Sequence, residues 1–306
     1  MKAIDLFAGA GGFSAGATMA GCEVVWAANH WQSAVDVHAL NHPSTIHVCQ
    51  DLQQAAWADV PAHDILLASP CCQGHSRARG KLAGNPQHDA SRSTAWAVVS
   101  AVEHHRPEFA VVENVVDFAS WSLYPAWRMA MEALGYCLAP HILDAADHGV
   151  PQHRERLFIV ATRSKNPVML RFPIRDRVPA SAFVDFEAGA WQPVEKPGRA
   201  ASTLARVSEG RRVHGARFLA PFYGSGSGET GRSLGRPIGT ITTRDRWSVI
   251  DGGKMRMLSK WECRAAMGFP GDYQLPAQHR LAVHMLGNAV APPAARDVLT
   301  AMMEST

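Results

Sequence analysis

The sequence predicts an α/β fold, a mostly parallel sheet covered by helices, joined to a smaller and more irregular region. Three observations carry that prediction. Across the first 160 residues, short apolar runs alternate with helix-patterned stretches, as βαβ units require. After Arg163 the texture changes: prolines recur at 167, 173, 179, 193 and 197, arginines cluster and periodicity fades. The length of 306 residues, with 47% hydrophobic and 19% charged, suits one large or two unequal domains and argues against disorder.

Ala3-Ile4-Asp5-Leu6-Phe7 reads as the first strand, followed by a glycine turn and a helical stretch through Ala20. Residues 23–27 form a second strand, and residues 32–40 a helix after it. Residues 46–48 and 65–68 continue the strands, and a helix over 94–105 precedes a strand at 109–112. A helix over 124–134 and a strand at 157–161 complete the series. Residues 1–163 therefore form one domain and 164–281 a smaller one. The tail 282–306 returns to helical patterning and docks back on the first. The stretch 224–228 reads as a flexible loop, and no internal repeat is present.

Several classes are excluded. No apolar run approaches the roughly 18 residues of a membrane span. The chain opens on a strand that contains an acid, unlike a signal peptide. The six cysteines (22, 49, 71, 72, 137 and 263) form no C-x-x-C pair and no zinc-ligand spacing, so no metal is expected. A reducing cytoplasm is the expected setting. The net charge of +3 conceals an asymmetry. Residues 1–160 carry 9 Lys/Arg against 15 Asp/Glu, whereas residues 161–246 carry 15 against 7. A basic middle segment of this kind suits a polyanion.

Two segments carry chemistry. Asp5-Leu6-Phe7-Ala8-Gly9-Ala10-Gly11-Gly12-Phe13-Ser14 is a strand, a glycine turn and a helix start, where backbone and ligand can approach closely. A dinucleotide fingerprint beginning at Gly9 would need glycine where Ser14 stands, and no acid follows the second strand in Ala28-Asn29-His30. The turn alone therefore indicates only a nucleotide-like ligand. In Ser69-Pro70-Cys71-Cys72-Gln73-Gly74-His75-Ser76, a thiol stands where a buried strand gives way to a loop. That carboxyl edge is where open α/β sheets bind ligands. Buried structural cysteines are common, so the pair alone does not decide between nucleophile and core filling.

Together with four further segments, the pattern resembles the cytosine-C5 DNA methyltransferase family over nearly the whole chain. D-L-F-A-G-A-G-G-F is similar to the family's first cofactor motif, and Pro70-Cys71-Cys72-Gln73 to its Pro-Cys-Gln nucleophile loop. Val112-Glu113-Asn114-Val115 matches Glu-Asn-Val, and residues 152–156, Q-H-R-E-R, match Gln-x-Arg-x-Arg. Residues 236–242 and 287–290 are similar to the last two blocks, in the right order.

The resemblance implies a Rossmann-like catalytic domain over 1–163, with helices on both faces of the sheet, and a target-recognition domain over 164–281. It implies S-adenosylmethionine as cofactor and base flipping to reach the target carbon in duplex DNA. Cys72 aligns with the nucleophile, Glu113 with the group at cytosine N3 and its amine, Arg156 with the contact to O2, and Arg154 with its supporting partner. The cofactor would lie against Phe7, Ala8, Gly9, Gly11, Gly12, Asp51, Leu52, Pro70, Asn288 and Val290. Gln73, Ser76, Arg77, Arg79, Gln152 and Arg244 would face DNA, with Gln152 and Asn288 ordering loops rather than reacting.

The chain departs from the family twice. Cys71 replaces the usual proline before the nucleophile, and Asn29-His30-Trp31 replaces a stretch carrying a ribose-binding glutamate. Trp31 fits a residue packed on adenine, and either His30 or Asn29 holds the glutamate position. A carboxylate binds two hydroxyls better than either, so lower cofactor affinity or a modified cofactor is implied. The resemblance also leaves a transfer-RNA cytosine methyltransferase and an inactive DNA-binding homologue as alternatives. The expected partner is double-stranded DNA, with the enzyme a monomer and a restriction endonuclease, where there is one, a separate chain.

Overall fold

A computed structural model describes residues 1–71, 94–164, 166–173, 175–222 and 231–305. The chain divides into two units: residues 1–144, 155–174 and 289–306 form the first, and residues 145–154 and 175–288 the second.

The first unit contains β1 (Lys2–Leu6), α1 (Gly12–Met19), β2 (Glu23–Asn29), α2 (Gln32–Asn41), β3 (Ile46–Cys49) and β4 (Ile65–Ala68). It continues with α3 (Ala95–His105), β5 (Phe109–Asn114), α4 (Tyr124–Ala133), β6 (Cys137–Asp144) and β7 (Glu155–Thr162). The strands form one seven-stranded sheet in the order β3-β2-β1-β4-β5-β7-β6. Neighbours from β3 to β5 are parallel, and β7 runs antiparallel to both β5 and β6. The α/β sheet expected from the alternation is therefore present, with β6 added where the sequence reading placed nothing.

β4 is buried at every residue, which explains its uninterrupted apolar sequence: a central parallel strand has no face toward water. Register fixes where the strands end. Leu6 lies beside Ala28 and Ala68, and Ala68 beside Val112, so the segments following β1, β2, β4 and β5 all leave the sheet at one edge.

The second unit contains β8 (Gln192–Pro193), α5 (Ala201–His214), β9 (Arg217–Pro221), β10 (Trp247–Asp251), β11 (Lys254–Met257), α6 (Lys260–Ala266) and α7 (His279–Asn288). Its strands form an antiparallel sheet in the order β8-β11-β10-β9. Val194, Val207, Phe218, Ala220, Ile250 and Met255 form one buried cluster in it. The region read as irregular thus contains its own sheet, built on strands of two to five residues, too short to signal period-two alternation.

The expected C-terminal helix is divided. α7 closes the second unit, and α8 (Pro292–Glu304) belongs to the first. Pro292 and Pro293 explain the break: they cannot continue a helix but are well suited to its first positions.

Candidate active site

The edge of the first sheet gathers the cofactor-type residues. Phe7, Gly9 and Gly11 take φ of 62°, 54° and 89° in the turn after β1, a left-handed path that glycine tolerates and Phe7 adopts at a cost. Among the described residues, a Cβ on Gly9 would meet only the Phe7 carbonyl, 3.9 Å away, so these residues leave space on that side of the turn. Gly12 is different. A Cβ there would fall 2.2 Å from the carbonyl oxygen of Val290, so α1 can start here only without a side chain. Gly12→Ala is expected to cost about 1–3 kcal/mol, seen as a lower urea midpoint at unchanged m value. Val290 is itself buried, reached through its backbone.

After β2, Asn29 is buried, and its Oδ1 accepts from the Trp31 amide at 2.9 Å. This Asx turn starts α2 and leaves His30 exposed and Trp31 half-buried. Asp51 is exposed and caps the next turn by accepting from the Gln53 amide at 3.0 Å, with Leu52 buried beside it. The open turn, the partly exposed indole and the carboxylate after β3 fit an adenosine-type ligand.

The same edge presents the start of the nucleophile-type loop. The Ser69 amide donates to the Leu6 carbonyl and its hydroxyl to the Phe7 carbonyl, at 3.1 and 3.2 Å. Asn114 Nδ2 donates to the carbonyl of buried Pro70 at 3.1 Å, and the amide of half-buried Cys71 donates to Thr94 Oγ1 at 3.2 Å. Cys72, Gln73, Ser76, Arg77 and Arg79 lie outside the described residues.

Glu113 is the penultimate residue of β5, inside the strand rather than just past it, and is 6% exposed. Arg156 Nε stands 3.1 Å from Glu113 Oε1, and Arg156 Nη1 donates to the Glu155 carbonyl at 2.8 Å. The antiparallel course of β7 makes this meeting possible. Glu113 pairs with Phe158 and Asn114 with Leu157, so the first residues of β7 reach the edge where β5 ends.

The neighbours of Arg156 in sequence do something else. Gln152, expected to face DNA, is fully buried in the second unit: its amide nitrogen donates to Ala266 O at 3.0 Å, and its oxygen accepts from the Ile241 amide at 2.7 Å. Both ends of this side chain are committed within the second unit, where it ties the 238–241 segment to Ala266. Arg154 is also buried and donates to the carbonyls of Ile241 and Gly287 at 3.2 and 3.0 Å. Asn288 is exposed and lies 3.3 Å from His284, whereas Arg244 is exposed on a loop of the second unit.

Sequence reading missed one buried chain. Asp5, fully buried, accepts at Oδ2 from the amide and hydroxyl of Ser14 at 3.1 and 2.7 Å. Ser14 Oγ in turn contacts His38 Nε2 at 3.0 Å, and His38 Nδ1 contacts His47 Nε2 at 2.8 Å. Burial pushes the Asp5 carboxyl up to about 7 against the opposing pull of the two Ser14 hydrogen bonds. A strand acid before a glycine turn is a visible sequence signal; its histidine partners, 33 and 42 positions away in the chain, are not.

Among the described residues, no cluster of three or more His, Cys, Asp or Glu side chains is arranged to hold a metal ion. No helix among them is long and apolar enough to cross a membrane.

A family model described as C-5 cytosine-specific DNA methylase matches residues 1–188 and 223–304. The Type II methyltransferase M.HgiDI of Herpetosiphon aurantiacus is 34% identical over 95% of this chain and 90% of its own length. M.HhaI of Haemophilus parahaemolyticus is 27% identical over 95% and 90%. Among solved structures, an E. coli prophage protein described as a DNA modification methyltransferase aligns with a TM-score of 0.73 at 20% identity, covering 100% of this chain and 99% of that one. The Dnmt2 methyltransferase of S. pombe aligns at 0.69 and 15%, covering 99% and 98%. At these identities the structural likenesses establish the fold.

Proposed function

The chain belongs to the C-5 cytosine-specific DNA methylase family, and on that premise we propose that it methylates C5 of a flipped-out cytosine in a short double-stranded DNA target through a covalent bond from Cys72 to C6. S-adenosylmethionine is the cofactor and, when bound, supplies the methyl group as a sulfonium electrophile. The open glycine turn, Trp31 and Asp51 are the residues that would hold it.

Cytosine C5 is too weak a nucleophile to take that methyl group unaided. Addition of the Cys72 thiolate to C6 moves electron density to C5 and divides one difficult step into easier ones; once C5 carries the methyl group, loss of the C5 proton to water breaks the Cys72–C6 bond and returns the thiolate. Glu113, with its carboxyl at the sheet edge, hydrogen-bonds N3 and the exocyclic amine and drains charge from the ring. Arg156 holds O2 and, through its contact at 3.1 Å, orients Glu113. This Glu113–Arg156 pair, beside the strand end that leads to Cys72, is the observation that carries the proposal. Arg154 and Gln152 act as positioning residues within the second unit.

Glu113→Gln keeps the shape and loses the proton-bearing carboxyl, so kcat is expected to fall by about 10²–10⁴-fold. A tritium-transfer assay with intact S-adenosylmethionine binding checks it; an unchanged kcat removes Glu113 from the reaction.

The basic middle segment supports target recognition by the second unit, with Arg244 available to phosphate or base edges. The family model and curated relatives favour DNA over transfer RNA, and retention of Cys72, Glu113 and Arg156 argues against an inactive homologue. The same reading has the protein act in the cytoplasm as a monomer, with any restriction endonuclease a separate chain. Bisulfite sequencing of DNA from a host expressing the protein tests the function. Protected cytosines in a recurring short sequence are expected, and their absence from an active preparation overturns it.

A further inference from the structure

The buried chain from His47 to Asp5 passes beneath the glycine turn and has no part in the chemistry proposed for Cys72 and Glu113. The four side chains can pair in two directions, with the His47 ring also hydrogen-bonded to the backbone of Thr45. With Asp5 ionised, His47 Nε2–H donates to His38 Nδ1, His38 Nε2–H to Ser14 Oγ, and the Ser14 hydroxyl to Asp5 Oδ2. With Asp5 protonated, every bond reverses: Asp5 donates to Ser14, Ser14 to His38 and His38 to His47. The second state holds one proton more, carried at the half-buried His47 end, and both imidazoles are neutral in each state.

The surroundings favour that neutrality. Burial, with His42 and His47 nearby, keeps His38 well below the usual histidine range, and burial also lowers His47. His42 is lowered to about 4 by burial and by His47, although its ring hydrogen-bonds the backbone of Gly11 in the turn itself. Around Asp5, β2 and β4 place Ala27 and Leu67 in register, and α1 supplies Ser14. Among the described residues Asp5 Oδ1 is buried without a hydrogen-bond partner, so ionisation is costly and both states are accessible near neutrality.

The two states differ at the turn. Gly11 caps α1, which makes Ser14 the third helical residue, and its amide is one of the donors a helix start leaves unsatisfied. Ionised Asp5 accepts that amide at 3.1 Å together with the Ser14 hydroxyl. A protonated Oδ2 that donates to Ser14 Oγ gives up part of this capping and loosens the segment joining β1 to α1. An ionised carboxylate under the turn also attracts a sulfonium cation.

We propose that His47, His38, Ser14 and Asp5 form a proton-conducting positioning relay that sets the glycine turn for S-adenosylmethionine, so that cofactor affinity rises as Asp5 ionises. This rests on the methyltransferase reading. The proton lost from Asp5 leaves through Ser14, His38 and His47 to water, each group giving one proton and taking one. None of the four is a catalytic residue.

Calorimetric titration of the full-length protein with S-adenosylmethionine, without DNA, from pH 6 to pH 8 brackets the Asp5 value of about 7. One coupled proton limits the slope to a decade per pH unit, so the wild-type Kd is expected to be roughly five- to tenfold weaker at the acid end. Asp5→Asn flattens the profile, Ser14→Ala moves its midpoint to higher pH by removing the hydroxyl that favours the ionised carboxylate, and Ser14→Thr restores it; titration of the ligand's own amino group is common to all. Ser14→Ala removes a single hydroxyl and keeps the test available should Asp5→Asn fail to fold. A flat wild-type profile, or a midpoint unmoved in Ser14→Ala, overturns the relay while leaving the methyltransferase reading intact. Absence of binding at every pH overturns that reading itself.

Discussion

Replacing Cys72 with alanine is expected to lower methyl transfer by about 10⁴-fold or more, the scale on which enzymes lose an attacking group. Without a nucleophile at C6, C5 does not acquire the electron density to accept a methyl group, and precise placement of both reactants cannot compensate. A free thiol with a pKa of about 8.5 is mostly protonated at neutral pH, so the loop must also favour the thiolate. Cys71 is expected to be dispensable. Its amide is tied to Thr94 Oγ1 at 3.2 Å, so its backbone anchors the start of the loop whatever its side chain. Trapping on DNA containing 5-fluorocytosine distinguishes the two, because fluorine blocks release and the covalent adduct accumulates. Cys71→Ser should trap and Cys72→Ser should not; the reverse result would transfer the nucleophile to Cys71.

The largest stability effect is expected in the second unit. Arg256 and Glu262 form an ion pair at 2.7 Å, with side chains 3% and 4% exposed. Glu262 also accepts from the amides of Ser259 and Asp185 at 2.7 and 3.0 Å, so it joins β11, α6 and the 185 loop. Arg256→Met leaves a buried carboxylate without its cation and is expected to cost about 3–5 kcal/mol. The double variant with Glu262→Leu should lose less than the sum of the two single changes, because no isolated charge remains. Burial alone would raise the Glu262 pKa, but the Arg256 hydrogen bonds and the two backbone amides outweigh it and hold the carboxyl below its ordinary 4.5. The stability it contributes is therefore present above the ordinary value and lost as pH falls through the lower folded one. Urea midpoints measured down this acid limb should fall more steeply for wild type than for the double variant. Parallel curves would show that the pair contributes nothing in this window.

Much of the site was legible because a parallel sheet presents consecutive strand ends at one edge. Reading strands at 3–7, 23–27, 65–68 and 109–112 already places the residues at their ends along one edge. Gln152 shows the limit of such reading. The family resemblance placed it among the residues facing DNA and ordering loops, and its side chain spans Ala266 and Ile241 inside the second unit. Short-range pattern gives a residue's chemistry and says little about which distant backbone will claim it.

The sequence by itself determined the sheet-and-helix alternation of the first unit, the glycine turn and the order of the chemical motifs. These are local properties, written in runs of a few residues. The tertiary structure alone decided that β7 inserts between β5 and β6 and brings Arg156 to Glu113, and that His38 and His47 reach Asp5 through Ser14. Such meetings depend on strand order and on contacts between distant segments. Their free energy comes from burying those segments together, and no local window of the chain records it.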